Sequence, residues 1–251
     1  MRVDYDVIAA KYDTRYERND YSGVADALSA FLEKAVRGAL EVGCGTGHWL
    51  RFLRQSGLNV VGVDPSHGML NVARARRADA RLLRAHAEAI PCRPATFDRV
   101  FCVNALHHFS DPAAFFCETR RVLVGGGGLL TAGLDPHTGR DRWWIYDYFP
   151  SVLGEDRRRY LPAARIRELM ETAGFSRCET REVQHMPAEM TVNEAARRGF
   201  LDRTNTSQLM VISEEEYEAG LKHIHRDDDA AGGRKILRSD LRVYGTTGWI
   251  R

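Results

Sequence analysis

The sequence predicts an α/β protein built on a doubly wound, mostly parallel sheet. Between about residue 38 and residue 185, short apolar runs alternate with helical patterns, and turn residues separate them. Strands and helices in that alternation form a parallel sheet covered on both faces. The 251 residues, 44% hydrophobic and 28% charged, can fill a sizeable core, and single α/β domains often reach this length. We therefore expect one domain over residues 1–251.

The predicted elements follow one another in the order that such a sheet requires. Apolar runs predict buried strands at 39–44 and 59–64, and each is followed by a helix. The first helix spans 48–55, and the second opens at Pro65. The remaining elements are a weak strand at 80–86, a strong strand at 97–106, a helix from Pro112 to Leu123, a strand at 129–135 and a helix from Pro162 to Ala173.

Both ends of the chain differ from this alternation. Aromatic and apolar residues at helical spacing predict an N-terminal helical cap over residues 1–37. Residues 185–235 are predicted to be a helical insertion between the last two strands, because capping boxes at 191–194 and 213–216 mark helix starts. From Leu237 onward apolar and charged residues alternate, which predicts a last strand with one solvated face.

Charge and cysteine content argue against several classes of protein. The 36 basic and 34 acidic side chains leave a net charge of +2, too even to indicate a nucleic-acid or membrane-surface partner. Five cysteines, an odd number without a C-x-x-C pair, argue against a disulfide framework or a zinc ribbon, and no metal site is predicted. Neither a secretory signal nor a membrane-spanning apolar run is recognisable, so we expect a cytoplasmic protein.

A glycine-rich loop is the most informative motif. The segment E-V-G-C-G-T-G at 41–47 lies between a predicted buried strand and a helix. Glycines at this place let the backbone turn tightly and approach a ligand, towards which the helix N–H groups also point. Position 48 is His, unlike the Gly or Ala that ends the dinucleotide motif G-x-G-x-x-G. Asp64 ends the next strand, where a carboxylate can accept hydrogen bonds from both ribose hydroxyls of an adenosine.

Four motifs in order resemble those of the class I S-adenosylmethionine-dependent methyltransferases of the small-molecule, ubiquinone/menaquinone-biosynthesis type. E-V-G-C-G-T-G is similar to their first motif and V-G-V-D-P-S-H-G-M-L to their second. A-E-A-I-P at 87–91 with F-D-R-V at 97–100 resembles the third block, and N-A-L-H-H-F-S-D at 104–111 the end of the fourth strand. The resemblance covers residues 35–135 in detail. It implies a Rossmann-like, seven-stranded sheet with an antiparallel last strand, and S-adenosyl-L-methionine as the cofactor.

The resemblance also implies which residues bind the cofactor. The glycine loop would hold its methionine part, Asp64 its ribose, and the backbone at Ala87 and Val103 its adenine. Tyr12 and Arg15 would lie over the cofactor when the N-terminal helix closes, although Tyr12 could also be an ordinary helix-face aromatic. The cofactor-binding residues predicted in this way are Tyr12, Arg15, Glu41, Gly43, Gly45, Thr46, Gly47, Asp64, His86, Ala87 and Val103.

Candidate catalytic and acceptor-binding residues follow the fourth and fifth strands, on the side where open α/β sheets bind ligands. His107 or His108 could take a proton from the acceptor, since the pKa of an imidazole lies near neutrality, and His108 is the preferred base. Positioning and water exclusion alone could also suffice, with the histidines only shaping the pocket. Within D-R-W-W-I-Y-D-Y-F at 141–149, Trp143 and Trp144 either grip the acceptor or form a core under a loop.

The sequence therefore predicts an enzyme that transfers a methyl group from S-adenosylmethionine to an oxygen, nitrogen or carbon of a small-molecule acceptor. A nicotinamide-dependent oxidoreductase and a non-catalytic S-adenosylmethionine-binding regulator are the alternatives. The protein is expected to be a monomer or a homodimer. So long an insertion as 185–235 is seldom idle, and we expect it either to roof the acceptor pocket with the two tryptophans or to serve as a buttress or dimer surface.

Overall fold

A sheet of eight strands forms the centre of the protein in the computed structural model, which describes residues 5–9, 12–33, 38–54, 57–76 and 80–251. The strands are β1 (Ala39–Val42), β2 (Val60–Asp64), β3 (Arg81–Arg84), β4 (Phe97–Val103), β5 (Leu123–Leu134), β6 (Arg142–Trp143), β7 (Ser176–Thr191) and β8 (Ile236–Trp249). Strands β1 to β5 are parallel, whereas β8 runs antiparallel to both β5 and β7. The predicted α/β fold with an antiparallel last strand is confirmed, and the two-residue β6 adds one strand to the seven expected.

The strand order places a ligand site between two particular strands. Across the sheet the order is β3-β2-β1-β4-β5-β8-β6, with β7 pairing β8. The chain moves outward from β1 to β3 and then returns to β4, so the order reverses between β1 and β4. Open α/β sheets bind ligands at the carboxyl ends of the strands beside such a reversal. The glycine loop follows β1, and the two candidate histidines follow β4.

Helices connect these strands and cover both faces of the sheet. In the described part of the chain they are α1 (Tyr5–Ile8), α2 (Thr14–Arg18), α3 (Ser22–Leu32), α4 (His48–Arg54), α5 (His67–Ala75), α6 (Pro112–Val122), α7 (Trp144–Tyr148), α8 (Ser151–Arg159), α9 (Ala163–Thr172), α10 (Val192–Arg197), α11 (Ser207–Met210) and α12 (Glu214–Ala230). Local sequence explains where several of them begin. Ser66 caps α5 by accepting a hydrogen bond from the Met69 N–H, and Asp111 caps α6 through the Ala114 N–H.

Neighbouring residues of one strand supply two separate cores. On β1, Ala39 packs into a core with Leu28 of α3 and Leu50 of α4. The next residue, Leu40, packs into a second core with Phe115 of α6. All of these side chains are buried. Because successive side chains of a strand point to opposite faces, burial on both sides confirms the doubly wound architecture.

The N-terminal region consists of short helices, whereas the spacing of its aromatic residues predicted one helix with an aromatic face. Helix α1 ends at Ile8 and α2 begins at Thr14. Between them lies Asp13, whose carboxylate accepts a hydrogen bond from the Thr46 hydroxyl in the glycine loop. This long-range contact fixes the chain where a helix would otherwise continue. Residues 1–4, 10–11 and 34–37 of the predicted cap lie outside the described residues, as does Gln55 at the end of the predicted helix 48–55.

The predicted helical insertion begins later than residue 185. Strand β7 continues to Thr191 and pairs with β8 as far as Ile236, so residues 185–191 are strand. They lie opposite 236–242, whose backbone N–H and C=O groups also need partners, and the paired ladder satisfies both segments. The helices α10 to α12 follow, and Thr191 and Ser213 cap α10 and α12 at the two predicted capping boxes.

The insertion builds a third core beyond the sheet. Trp144 and Phe149, from the segment after β6, pack with Phe200 and Ile224 of the insertion. These aromatic residues therefore do form a core under a loop, one of the two alternatives for 141–149. Strand β5 ends opposite Val243, so the first residues of β8 and the helices before them lie past the carboxyl edge of the sheet. No helix within the described ranges combines the length and apolar character needed to cross a membrane.

Candidate active site

Two cavities open at the carboxyl edge of the sheet and meet there. One, of about 780 Å³, is lined by the glycine loop, the end of β2 and the start of the loop after β3. The other, of about 500 Å³, lies between the N-terminal helices, the segment after β6 and the insertion. The residues that line both cavities are Tyr5, Tyr12, Asn104, His107 and His108. We call the first cavity the loop cavity, the second the roof cavity, and the five shared residues the junction residues.

The glycine loop makes its turn through left-handed backbone at Gly43 and Gly45, with φ of +77° and +51°. A Cβ atom at Gly43 would lie 2.4 Å from the Cβ of Ala105, so the loop packs against the segment after β4 only because no side chain is present. A Cβ at Gly45 would have its nearest neighbour, Tyr12, at 3.9 Å. Gly45 thus faces the loop cavity and leaves space for a ligand to approach the backbone.

The Asp64 carboxylate, which the sequence analysis assigned to ribose binding, also holds the glycine loop in place. One oxygen accepts a hydrogen bond from the Gly45 N–H at 2.8 Å, and the other from the Ser66 N–H at 2.9 Å. Burial raises the pKa of the Asp64 carboxyl, and the two N–H donors oppose that rise. Each carboxylate oxygen has a further lone pair, and Asp64 lines the loop cavity. Its carboxylate can therefore still accept hydrogen bonds from a ligand.

Glu41 brings a second buried carboxylate to the loop cavity. Its side chain is 1% exposed, and its Oε2 atom makes no hydrogen bond to any described residue. Burial, and then the nearby Asp64, raise the pKa of the Glu41 carboxyl well above its usual range. A buried carboxylate oxygen without a donor is costly. A ligand carrying a cationic group would supply the missing partner.

Asp13 anchors the N-terminal helices to the glycine loop, a role that the sequence gave no signal for. It is 4% exposed and accepts the hydrogen bond from Thr46. Two arginines also pair with it: Arg76 at the end of α5, and Arg51 of α4 at 3.5 Å. Because Thr46 follows Gly45 directly, this buried cluster ties the position of α2 to the shape of the loop cavity.

An aromatic cluster from α2 and its flanks covers the glycine loop. Tyr16 stacks on His48 with ring centroids 3.6 Å apart, and burial lowers the pKa of His48 to about 4, so this imidazole is neutral. Tyr12 lines both cavities. Its hydroxyl accepts a hydrogen bond from Arg15 at 2.7 Å. Arg15, which the sequence assigned to the cofactor, lines the roof cavity and is absent from the lining of the loop cavity.

The two candidate catalytic histidines have different surroundings at the junction. The Tyr5 hydroxyl lies 2.5 Å from His108 Nε2. Burial raises the pKa of Tyr5, so its phenol is protonated. The phenol donates this hydrogen bond when His108 carries its ring proton on Nδ1 and accepts it when that proton is on Nε2. His107 instead stacks on Tyr160, with ring centroids 4.0 Å apart. Burial, followed by His108 and Arg159, lowers the pKa of His107 well below its usual range, so this imidazole is neutral.

Tyr5 and Asn104 are junction residues that the sequence did not single out for the site. Asn104 directly follows β4 and has a left-handed φ of +50°, which is uncommon for a residue other than glycine. Its side chain lines both cavities. Strained backbone of this kind clusters at functional sites. In the sequence, the signal for Asn104 was its place in the N-A-L-H-H stretch. Tyr5 had no such signal, because it reaches the junction only through the tertiary placement of α1.

The roof cavity joins polar and apolar walls. Trp143 and Trp144 line it, together with Met186 of β7 and Leu241 of β8. A polar stretch, 204–208 of the insertion, lines another side. The N-terminal helices and the insertion meet over this cavity. They do so where Arg18 donates hydrogen bonds to Asn205 Oδ1 at 2.9 Å and to the Gly199 carbonyl at 3.3 Å.

A buried carboxylate holds the insertion against the segment below it. Asp156 of α8 is 1% exposed and accepts hydrogen bonds from Tyr146, Arg159 and Gln208. Gln208 belongs to α11 and also donates to the Tyr160 hydroxyl at 3.2 Å. Since Tyr160 stacks on His107, this network connects the insertion to a junction residue.

The structure collects most of the predicted cofactor residues in one place. Those lining the loop cavity are Tyr12, Glu41, Gly43, Gly45, Thr46, Asp64, His86, Ala87 and Val103. Gly47 is not among the residues that line this cavity; its N–H closes the turn onto the Cys44 carbonyl at 2.9 Å. Arg15 is placed elsewhere, as described above.

One part of the chain matches a known protein family. Residues 40–131 match the family model described as a methyltransferase domain. This range contains the glycine loop, Asp64 and both junction histidines. This part of the chain is therefore similar to a methyltransferase domain, as its four motifs predicted.

Two proteins of Mycobacterium tuberculosis are similar to parts of this chain. An uncharacterised methyltransferase of Mycobacterium tuberculosis is 37% identical over 143 residues, which is 56% of this chain and 56% of the relative. An uncharacterised protein of the same organism is 32% identical over 183 residues, 71% of this chain and 62% of the relative. This chain thus spans less than two thirds of the length of these relatives.

A solved structure shares the fold. It is phosphoethanolamine N-methyltransferase 2 of Haemonchus contortus in complex with S-adenosyl-L-methionine, with a TM-score of 0.62 and 20% identity. The alignment covers 98% of this chain and 57% of that one. At this identity the likeness shows a common fold.

Proposed function

We propose that the protein transfers a methyl group from S-adenosylmethionine, bound in the loop cavity, to an oxygen or nitrogen of a small molecule in the roof cavity. One observation carries the proposal: the two cavities meet at a single set of residues that includes His107 and His108. A transfer reaction needs donor and acceptor sites that touch at one point. Carbon methylation is the less favoured variant, and a cytoplasmic monomer or homodimer stays a prediction.

The side chains that line the loop cavity can bind the separate parts of the cofactor. Glu41 Oε2, buried and without a donor among the described residues, would pair with the ammonium group of the methionine part. Asp64 would accept hydrogen bonds from the ribose hydroxyls, and the backbone at Ala87 and Val103 would border the adenine. When bound there, S-adenosylmethionine supplies an electrophilic methyl group on a sulfonium.

Tyr5 and His108 would form the path for the proton that a methyl acceptor with an O–H or N–H group must lose. When His108 carries its ring proton on Nδ1, the Tyr5 phenol donates to His108 Nε2 at 2.5 Å, and its oxygen retains lone pairs that can face an acceptor. A proton taken up by that oxygen would release the phenol proton to His108. His107, stacked and neutral, forms part of the wall and assumes no proton-transfer role.

The insertion and the N-terminal helices would close the roof cavity over the acceptor. The contact of Arg18 with Asn205 and the Asp156 network both hold the insertion in place. Exclusion of water strengthens every electrostatic interaction at the junction and prevents loss of the methyl group to solvent. This supports the roof hypothesis, with Trp143 and Trp144 as acceptor-facing walls.

The function is tested by product formation. Protein incubated with methyl-labelled S-adenosylmethionine and a panel of phenols, carboxylic acids and amines should yield labelled product with at least one acceptor. Titration with S-adenosylhomocysteine should show tight binding, whereas nicotinamide cofactors should not bind. Cofactor binding without any product in a broad panel would favour the non-catalytic regulator. Binding of NADH instead would favour the oxidoreductase.

Replacement of Asp64 by alanine should weaken S-adenosylhomocysteine binding by about 1.5–3 kcal/mol, the scale for hydrogen bonds to a charged group. Calorimetric titration measures this loss. Part of it would come from the glycine loop, because Asp64 also holds the Gly45 N–H. The 2′,3′-dideoxy analogue of S-adenosylhomocysteine separates the two contributions. Wild-type protein should prefer the hydroxylated ligand and Asp64→Ala should not; an unchanged preference would refute the ribose assignment.

Replacement of His108 by alanine should lower turnover by about 100-fold, the scale of general base catalysis, with little change in S-adenosylhomocysteine affinity. Tyr5→Phe removes the phenol oxygen and should lower turnover by a similar factor. The double variant should be no slower than either single one, because both residues serve one proton path. His225→Ala, on the exposed side of α12, is the matched control. Near-normal turnover in His108→Ala would mean that positioning suffices.

A further inference from the structure

Helix α2 turns two arginines towards the roof cavity. Arg15 and Arg18 are three residues apart, which places them on one face of the helix, and both line the cavity. Arg15 lies in the cluster of tyrosines, with its guanidinium carbon 5.1 Å from the Tyr12 ring centroid and 6.0 Å from that of Tyr21. Arg18 lies 5.7 Å from the ring centroid of Phe200 in the insertion.

Neither guanidinium has an acidic partner among the described residues. Arg15 donates only to hydroxyls, those of Tyr12 at 2.7 Å and Tyr21 at 3.2 Å. Arg18 donates to the Asn205 amide oxygen and to the Gly199 carbonyl. Other partly buried arginines nearby are paired, as Arg159 is with Asp156 at 2.7 Å. A charge withdrawn from water is normally compensated by an opposite charge.

The lining of the roof cavity does not supply that charge. Among its described residues the single carboxylate is Asp20, which is exposed. It accepts hydrogen bonds from the Ser22 N–H at 2.8 Å and the Ser22 hydroxyl at 3.0 Å. The lining of the cavity is therefore cationic at α2 and apolar at Trp143 and Trp144.

We propose that the methyl acceptor is an anion, a small molecule with a carboxylate that Arg15 and Arg18 bind and an apolar or aromatic body that packs on Trp143 and Trp144. Guanidinium groups match the planar, two-oxygen geometry of a carboxylate. This inference rests on the proposed function, because it assigns the roof cavity to the acceptor. It departs from the resemblance, which assigned Arg15 to the cofactor.

The position of Arg15 favours the acceptor over the carboxylate of the cofactor itself. Of the two cavities, Arg15 lines only the roof cavity, and its guanidinium donates a hydrogen bond to Tyr12, which lines both. The nearest atom to a Cβ at Gly45 belongs to Tyr12. Tyr12 thus contacts Arg15 through its hydroxyl and lies beside the glycine loop through its ring, whereas Arg15 itself does not line the loop cavity.

Matched acids and amides test the proposal on the full chain saturated with S-adenosylhomocysteine. The probes are benzoate, phenylacetate and 3-phenylpropionate, each against its neutral amide, with thermal shift and calorimetry as readouts. At least one acid should bind about tenfold or more tightly than its amide. Arg15→Gln and Arg18→Gln should each remove that preference, and Arg15→Lys should retain part of it. Arg93→Gln, an exposed arginine outside both cavities, is the matched control and should keep it.

Cofactor affinity distinguishes the possible failures. S-adenosylhomocysteine should bind wild-type and Arg15→Gln protein within about twofold of each other, since the inference places Arg15 away from the cofactor. A tenfold loss in Arg15→Gln would assign this arginine to the cofactor and overturn the proposal. Equal binding of all acids and amides to the wild-type protein would also overturn it. Failure of S-adenosylhomocysteine to bind wild-type protein would instead contradict the proposed function.

Discussion

Replacement of Gly43 by alanine is expected to destabilise the protein by about 2–5 kcal/mol. Left-handed backbone costs a non-glycine residue about 1–2 kcal/mol, and φ at Gly43 is +77°. The new Cβ would also lie 2.4 Å from the Cβ of Ala105, and overpacking of this kind adds about 1–3 kcal/mol. Denaturant unfolding measures the total. The glycine loop would have to move away from β4, so S-adenosylhomocysteine affinity should fall as well.

The glycine at position 57 provides a matched control for the backbone contribution. Its φ of +73° is similar, but a Cβ there would have no atom within 4 Å. Gly57→Ala should therefore lose only about 1–2 kcal/mol and should bind S-adenosylhomocysteine normally. Equal destabilisation by the two substitutions would show that the contact with Ala105 does not constrain the loop.

Replacement of Glu41 by glutamine should have opposite effects on stability and on cofactor binding. The buried Oε2 atom of Glu41 makes no hydrogen bond to the described residues, so removal of the charge should stabilise the ligand-free protein by about 1–3 kcal/mol near neutral pH. S-adenosylhomocysteine affinity should fall by about tenfold to a hundredfold, because the ammonium group loses a charged partner. Affinity for 5′-methylthioadenosine, which lacks the amino-acid part, should not change.

The stability gain of Glu41→Gln should depend on pH in a defined direction. Burial raises the pKa of the folded-state carboxyl well above that of the unfolded chain, so between the two values the folded state binds more protons. Stability of the wild-type protein consequently falls as pH rises through that window. The difference between variant and wild type should be small near pH 4 and larger at pH 8. Glu168→Gln, exposed on α9, should show no such trend; a trend of opposite sign for Glu41→Gln would contradict its unpaired burial.

Features that depend on local chemistry were determined by the sequence itself. The alternation of apolar runs and helical patterns fixed the order of strands and helices, since side-chain period and capping residues act over a few positions. Thr191 and Ser213 cap helices α10 and α12, as the two capping boxes predicted. The glycine loop and Asp64 also meet for a local reason, because adjacent parallel strands bring their carboxyl ends together.

Other features arose only from the tertiary structure, because they join segments far apart in the chain. Pairing with β8 extended β7 through residues 185–191, and the first capping box of the sequence begins only at the last of these residues. The break between α1 and α2 coincides with the contact of Asp13 with Thr46, and Tyr5 meets His108 across 103 positions of sequence. Which cavity Arg15 lines likewise depends on how α2 packs against the insertion. Pattern and propensity carry no information about such distant partners, so burial and charge compensation in the folded protein decided them.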